Sequence, residues 1–222
     1  MPIDPSHNKK IHHITHYSNL SKIIHSDRML SSNELSRLRA TPTNIGHTSL
    51  KYRRSLHSVP ISPNGTLNDY VPFFLGSRPP MIIAIAKGSV TDYHGTQREI
   101  IYIVSSTQKI VDAGCTWCFT DGHAVEAMTE YYNDLQSLEE LDWDAIGAFD
   151  FRPTADDPDK YRKKQAEFLV HGNVPWRCVE SITVKDGEMR TIVERILNET
   201  NSHHRPTINI NRNWYYNPRS PQ

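Results

Sequence analysis

The stretch Arg162-Lys163-Lys164-Gln165-Ala166-Glu167-Phe168-Leu169-Val170 sets a single carboxylate inside an apolar run. Residues 164–170 read as a β-strand. With side chains alternating between faces, Ala166, Phe168 and Val170 share one side, and Gln165, Glu167 and Leu169 the other. A carboxylate in such a run costs free energy unless it meets a cation or faces a polar cleft. Two readings stand side by side: an edge-strand glutamate paired with a nearby Lys or Arg, or a functional carboxylate on a cleft wall.

Around this strand the chain alternates short apolar runs with short amphipathic ones. Strands are expected at residues 11–16, 70–75, 81–86, 100–104, 181–184 and 207–211. Helices are expected from Ser18 as N-cap through Leu20, Ile23 and Ile24, at residues 31–38, at residues 124–135 and, after Gly187, at residues 188–197. Residues 39–63 are polar, basic and broken by Pro42, Gly46 and Pro60, which reads as a long loop. Residues 149–160 are acidic and Pro-interrupted, a second loop. Strands and helices without a regular βαβ beat imply an α+β fold.

The 222 residues suit one domain with a real core, framed by a loose leader at residues 1–10 and a tail at residues 217–222. The hydrophobic fraction of 37% and charged fraction of 23% are those of a globular chain. No apolar run approaches the roughly 18 residues of a membrane span. The leader lacks the apolar segment of a secretory signal, so a cytoplasmic protein is expected. Formal net charge is zero, which argues against a grip on duplex DNA through many phosphates. Cys115, Cys118 and Cys178 are odd in number, and the Cys115–Cys118 spacing has no second pair, so ordinary thiols are expected rather than a disulfide or zinc site. The 12 histidines show no metal-ligand spacing.

Three further constellations carry chemistry. Asn68-Asp69-Tyr70-Val71-Pro72-Phe73-Phe74 reads as core packing or as an aromatic wall for a flat ring. Ile45-Gly46-His47, with Leu50 and Arg53-Arg54, reads as a solvated basic pair or as a diphosphate clamp. Phe119-Thr120-Asp121-Gly122-His123-Ala124 is a turn that delivers a histidine.

Taken together these blocks resemble the DarT family of toxins that ADP-ribosylate DNA. The match runs in order through Ile14-Thr15-His16 with Asn19-Leu20, Ile45-Gly46 with Leu50 and Arg54, Gly65 to Phe73 with Pro80-Met81, Glu99-Ile100, Phe119 to Ala124, Asp142-Trp143, Phe151-Arg152 with Asp156-Asp157-Pro158, Gln165-Ala166-Glu167, and Trp214-Tyr215-Tyr216. It covers residues 11–216, the expected single domain.

The resemblance implies an ADP-ribosyltransferase-like fold, with two small antiparallel sheets and surrounding helices forming an NAD cleft. It implies NAD as co-substrate, no metal, and transfer of ADP-ribose to a base, thymidine first, in single-stranded DNA. Glu167 and Arg54 fall on the catalytic positions. His16, Asn19, Arg54 and Tyr70 are expected to hold NAD. Phe74, Met81, His123 and Arg152 are expected on the substrate side, with residues 149–163 as the target-recognising loop. A macrodomain antitoxin of the DarG type is the implied partner. The alternatives are the same fold acting on guanosine, RNA or protein, and a non-enzymatic nucleotide-binding module in which Glu167 and Arg54 are structural. A metal-dependent nuclease would draw on Asp156, Asp157 and Asp159, which read more simply as a solvated acidic loop.

Overall fold

A computed structural model describes residues 3–216; the expected tail at residues 217–222 lies outside the described residues. The strands are β1 Lys10–His16, β2 Arg28–Leu30, β3 Tyr70–Phe74, β4 Ile100–Ser106, β5 Trp117–Thr120, β6 Tyr131–Tyr132, β7 Glu167–His171, β8 Asn173–Pro175, β9 Ser181–Val184 and β10 Thr207–Ile210. The α-helices are α1 Leu20–His25, α2 Ser32–Arg37, α3 Thr48–Leu56, α4 Pro80–Ala86, α5 Thr107–Asp112, α6 Trp143–Gly147, α7 Lys160–Lys163 and α8 Gly187–Glu199.

Eight strands form one sheet in the order β10-β9-β4-β1-β3-β7-β5-β6, and β2 pairs with β8 beside it. Within the large sheet every pairing is antiparallel except β10 with β9. The expected two small sheets are therefore corrected to one large sheet. Its two halves meet at a narrow seam, because β1 and β3 share a single register pair, His12 with Phe74. Pro72 has no N–H to give a ladder. Histidine side chains bridge the seam instead: Nδ1 of His13 donates to the Pro72 carbonyl (2.8 Å) and Nδ1 of His12 to that of Phe74 (3.2 Å).

The alternation expected near Glu167 holds. Ala166, Phe168 and Val170 join the core under Trp176 and α8, whereas Leu169 packs on the opposite side with Tyr70 and Cys118. Strand β7 itself begins only at Glu167, after α7.

Residues 81–86 form helix α4, not a strand. Pro80 occupies its first turn, where a missing N–H costs nothing, and Ile82 and Ile85 are buried on one face. The expected helix at residues 124–135 is absent; turns lead into β6. Its later backbone donors go to turns and to a side chain instead of a helical ladder: the Glu126 N–H donates to the His123 carbonyl, that of Thr129 to the Glu126 carbonyl and that of Glu130 to Asp121 Oδ1. The loop expected at residues 39–63 contains α3, which buries no residue and so has no apolar stripe to read. Ser18, expected to cap α1, lies instead in a 3-10 turn at Tyr17–Asn19 capped by the ring of His16, which accepts from the Ser18 N–H; the N-cap of α1 is Asn19. Residues 3–9 are tied to α5: the Ile3 N–H donates to Gln108 Oε1, and the Thr107 hydroxyl donates to the His7 carbonyl.

His12 is 6% exposed, edge-on to Trp214 at 5.0 Å. Burial pulls its imidazole down to about 4, against the lesser lift of its bond to the Phe74 carbonyl. A depressed folded-state value stabilises above the unfolded value of 6.5, and that stability is lost as pH falls from 6.5 toward 4. Chemical unfolding across that window is expected to show a loss of about 2–3 kcal/mol that His12→Phe lacks. Equal acid slopes in the two proteins would remove His12 as its source.

Candidate active site

Glu167 opens β7, an interior strand between β3 and β5, so the edge-strand reading falls. Its backbone N–H donates to the Thr120 hydroxyl on β5 (3.1 Å). Its carboxylate, almost wholly buried, accepts from two directions. The Ala124 N–H reaches Oε1 at 3.1 Å, and Nη1 of Arg54 reaches Oε1 and Oε2 at 3.1 and 3.0 Å. Arg54 stands on α3, 113 residues earlier in the chain, with its side chain 13% exposed.

The pairing answers the cost of burying Glu167, but the guanidinium is not fully satisfied. Nη2 of Arg54 is buried without a hydrogen-bond partner. A pair built for stability alone would have no reason to strand a donor there, since an unmet buried donor costs about 1–3 kcal/mol. Beside the pair lies a cavity of about 930 Å³ whose wall includes Arg54 and Glu167. Its size is in the range of small-ligand and cofactor sites.

Of the other expected residues, Tyr70, Phe74, Met81 and His123 line this cavity. Tyr70 is buried, which raises its phenol, and its hydroxyl donates to the Asn64 carbonyl (2.6 Å). It therefore presents a ring to the cleft rather than a donor. Nδ1 of His123 lies 3.6 Å from Glu126. His57, near the ion pair, has its imidazole lowered by burial first and then by the charges of Arg54 and Arg53.

His16, Asn19 and Arg152 are not among the lining residues. His16 bonds to Ser18, whose hydroxyl meets that of Thr43 at 2.9 Å. Asn19 donates to the Thr43 carbonyl and accepts from the Thr43 N–H. Both thus fasten the segment whose next residues, Asn44 to His47, do line the cavity. Arg152 is exposed and donates through Nε to Asp150 (2.9 Å). In the acidic loop, Asp157 pairs with Lys163 and Asp159 with Arg162.

His13, Gln165 and Arg162 line the cavity and were not among the expected site residues. Burial lowers the His13 imidazole, and with Nδ1 donating to Pro72 the neutral ring has Nε2 as an acceptor. The signal was present: adjacent histidines on one strand face opposite sides, so His12 and His13 cannot share a fate.

Comparison with known proteins points to one family. The family model described as ssDNA thymidine ADP-ribosyltransferase, DarT, matches residues 12–216. A DNA ADP-ribosyl transferase of Thermus sp. (strain 2.9) is 38% identical over 206 residues, 93% of this chain and 95% of that one. The solved structure of Thermus sp. 2.9 DarT in complex with ADP-ribosylated ssDNA superposes with a TM-score of 0.87 at 36% identity, covering 94% of this chain and 96% of that one. The same protein in complex with NAD+ gives 0.83 at 35% identity, covering 94% and 98%.

Proposed function

The chain belongs to the DarT family, and from that premise we propose that Glu167 and Arg54 form the reaction centre of an NAD-dependent DNA ADP-ribosyltransferase. ADP-ribose passes from NAD to a thymidine base of single-stranded DNA, and nicotinamide is released. One observation carries the residue assignment: a guanidinium that gives one nitrogen to the buried Glu167 and keeps the other buried and unpartnered, beside a cavity of cofactor size. The unpartnered Nη2 is the fit test for a ligand, since it calls for an acceptor that the protein does not supply.

The bond between the nicotinamide nitrogen and the ribose breaks, and its electron pair leaves with nicotinamide. Positive charge builds on the ribose ring, as in glycoside hydrolysis. Glu167 supplies fixed negative charge there and an acceptor for the 2′-hydroxyl. Because the Ala124 N–H and Arg54 already hold the carboxylate, it reorganises little as the charge develops. The thymine N3 then bonds to the ribose carbon and gives up its proton. A guanidinium offers donors and no acceptor, so the part of Arg54 is electrostatic: Nη2 donates to the substrate and makes N3 more acidic. His123, on the same cavity, has a ring nitrogen able to take the proton in its neutral form. Phe74 and Met81 offer flat or soft apolar contact to a ring. His16 and Asn19 serve NAD through the Thr43 segment, and Arg152 serves the target from the segment at residues 149–163.

Thymine N3 lies in the pairing face of a duplex, so the base must be open or extruded. Mass spectrometry of a thymidine-containing oligonucleotide after incubation with NAD is expected to show one added ADP-ribose per modified strand. The matching duplex is expected to react at least about tenfold more slowly. Equal rates would defeat the open-strand argument. Nicotinamide release without any oligonucleotide adduct, on a panel that includes guanine-rich and RNA strands, would move the target to protein.

One further part of the reading rests on family membership: the partner is a macrodomain antitoxin of the DarG type that removes the modification. The compartment, read from the polar N-terminal residues, is the cytoplasm. Among the described residues no helix is long and apolar enough to cross a membrane.

A further inference from the structure

Arg162, on α7, takes no part in the chemistry above, yet every N–H of its guanidinium is used. Nε donates to both oxygens of Asp159 (2.9 and 3.0 Å). Nη1 donates to Asp121 Oδ1 (2.7 Å) and to the Thr129 hydroxyl (3.1 Å). Nη2 donates to Asp121 Oδ2 (2.9 Å) and Asp159 Oδ2 (2.7 Å). The side chain is only 13% exposed, so the bonds are shielded and the Asp121 contact is bidentate. Its backbone carbonyl also accepts the His123 N–H at 3.1 Å.

The segment held in this way, residues 121–124, is the one that positions Glu167. The Thr120 hydroxyl donates to the Gly122 carbonyl (2.7 Å) and accepts the Glu167 N–H, and the Ala124 N–H donates to Glu167 Oε1. Gly122 packs closely against the Arg162 side chain. A Cβ there would stand 2.3 Å from Arg162 Nη1, 2.8 Å from its Cγ and 2.9 Å from its Cζ. All three atoms belong to one side chain.

We propose that Arg162 is a positioning residue: packed against Gly122 and locked to Asp121, it clamps the turn that aims the Ala124 N–H at Glu167 and carries His123. The inference rests on the reaction assigned above. A clamp of this kind acts on the transition state more than on ground-state binding, because a well-aimed carboxylate matters most when the ribose carries charge. A misplacement of about 1 Å is worth about 10²-fold in rate.

The test uses the full chain with NAD and a thymidine-containing single-stranded oligonucleotide. Arg162→Ala and Gly122→Ala are each expected to lower kcat by about 10²-fold while KM for NAD stays within about threefold. Arg162→Lys is expected to recover little, because an ammonium cannot hold two carboxylates bidentately. The double variant Gly122→Ala/Arg162→Ala is expected to be no worse than Arg162→Ala alone, since the added methyl then has room. Hydrogen exchange at the Ala124 amide, read in the same proteins, is expected to quicken in both single variants. Parental kcat in Gly122→Ala, multiplicative losses in the double variant, or an unchanged Ala124 exchange rate each overturn the clamp. A parent protein that neither labels the oligonucleotide nor releases nicotinamide overturns the reaction itself and the positioning role with it, whatever the exchange rates.

Discussion

Glu167→Gln is expected to lower both nicotinamide release and oligonucleotide labelling by about 10³-fold or more, with NAD affinity within a few-fold of the parent. The substitution keeps the shape of the side chain and removes its charge. Oε1 now accepts two donors, the Ala124 N–H and Arg54 Nη1, and Oε2 accepts Nη1 again. Glutamine has one acceptor oxygen for these three contacts, so its NH₂ must face a donor whichever way it turns. The variant thus loses the negative charge opposite the ribose and the fixed orientation of the group. Ground-state binding draws on the rest of the cavity, so affinity, measured by calorimetry, is expected to persist. Release and labelling are read by chromatography and mass spectrometry. A glutamine variant within tenfold of the parent in both would end the assignment of Glu167 to the reaction.

The extent to which this site could be read in advance follows the range of the interactions involved. The strands at β3, β4, β7 and β9 are built on short apolar runs and β1 on isoleucines set among histidines, and the facing pattern of Ala166, Phe168 and Val170 against Leu169 followed from a period of two. Those are local signals. Helix α4 failed because six apolar residues serve a buried helix as well as a strand, and only Pro79-Pro80 tipped the balance. Helix α3 failed for the opposite reason. It buries nothing, and it matters because it holds Arg54 against a residue 113 positions away.

The sheet was expected in two pieces and is one. The seam between the halves is closed by two histidine side chains where Pro72 interrupts the ladder, and no local pattern encodes a bond between His13 and a carbonyl 59 residues on. His16 and Asn19 show how a motif position can serve a site without entering it. They hold Thr43, and the residues after Thr43 form the wall. The unpartnered Nη2 of Arg54 has no trace in the sequence at all, since it is defined by what the fold around it fails to supply.

Arg54→Ala is expected to cost stability and turnover together, and Arg54→Lys to separate them. In the alanine variant the buried Glu167 carboxyl is left with only the Ala124 N–H to meet it. Stranding one half of a buried pair costs about 3–5 kcal/mol, less where water from the neighbouring cavity reaches the carboxylate. A lower melting temperature and a loss of labelling of about 10²–10³-fold are therefore expected. Lysine restores the positive charge beside Glu167 and with it most of the melting temperature. It has no second nitrogen to place where Nη2 stands, so the donor proposed above to meet the substrate is gone. If that donor acts on the thymine, Arg54→Lys releases nicotinamide far better than it labels the oligonucleotide, because hydrolysis by water does not need the base. Measuring both products from one incubation gives the ratio directly. A lysine variant that labels DNA at the parental rate would leave Arg54 as a counter-ion to Glu167 and nothing more.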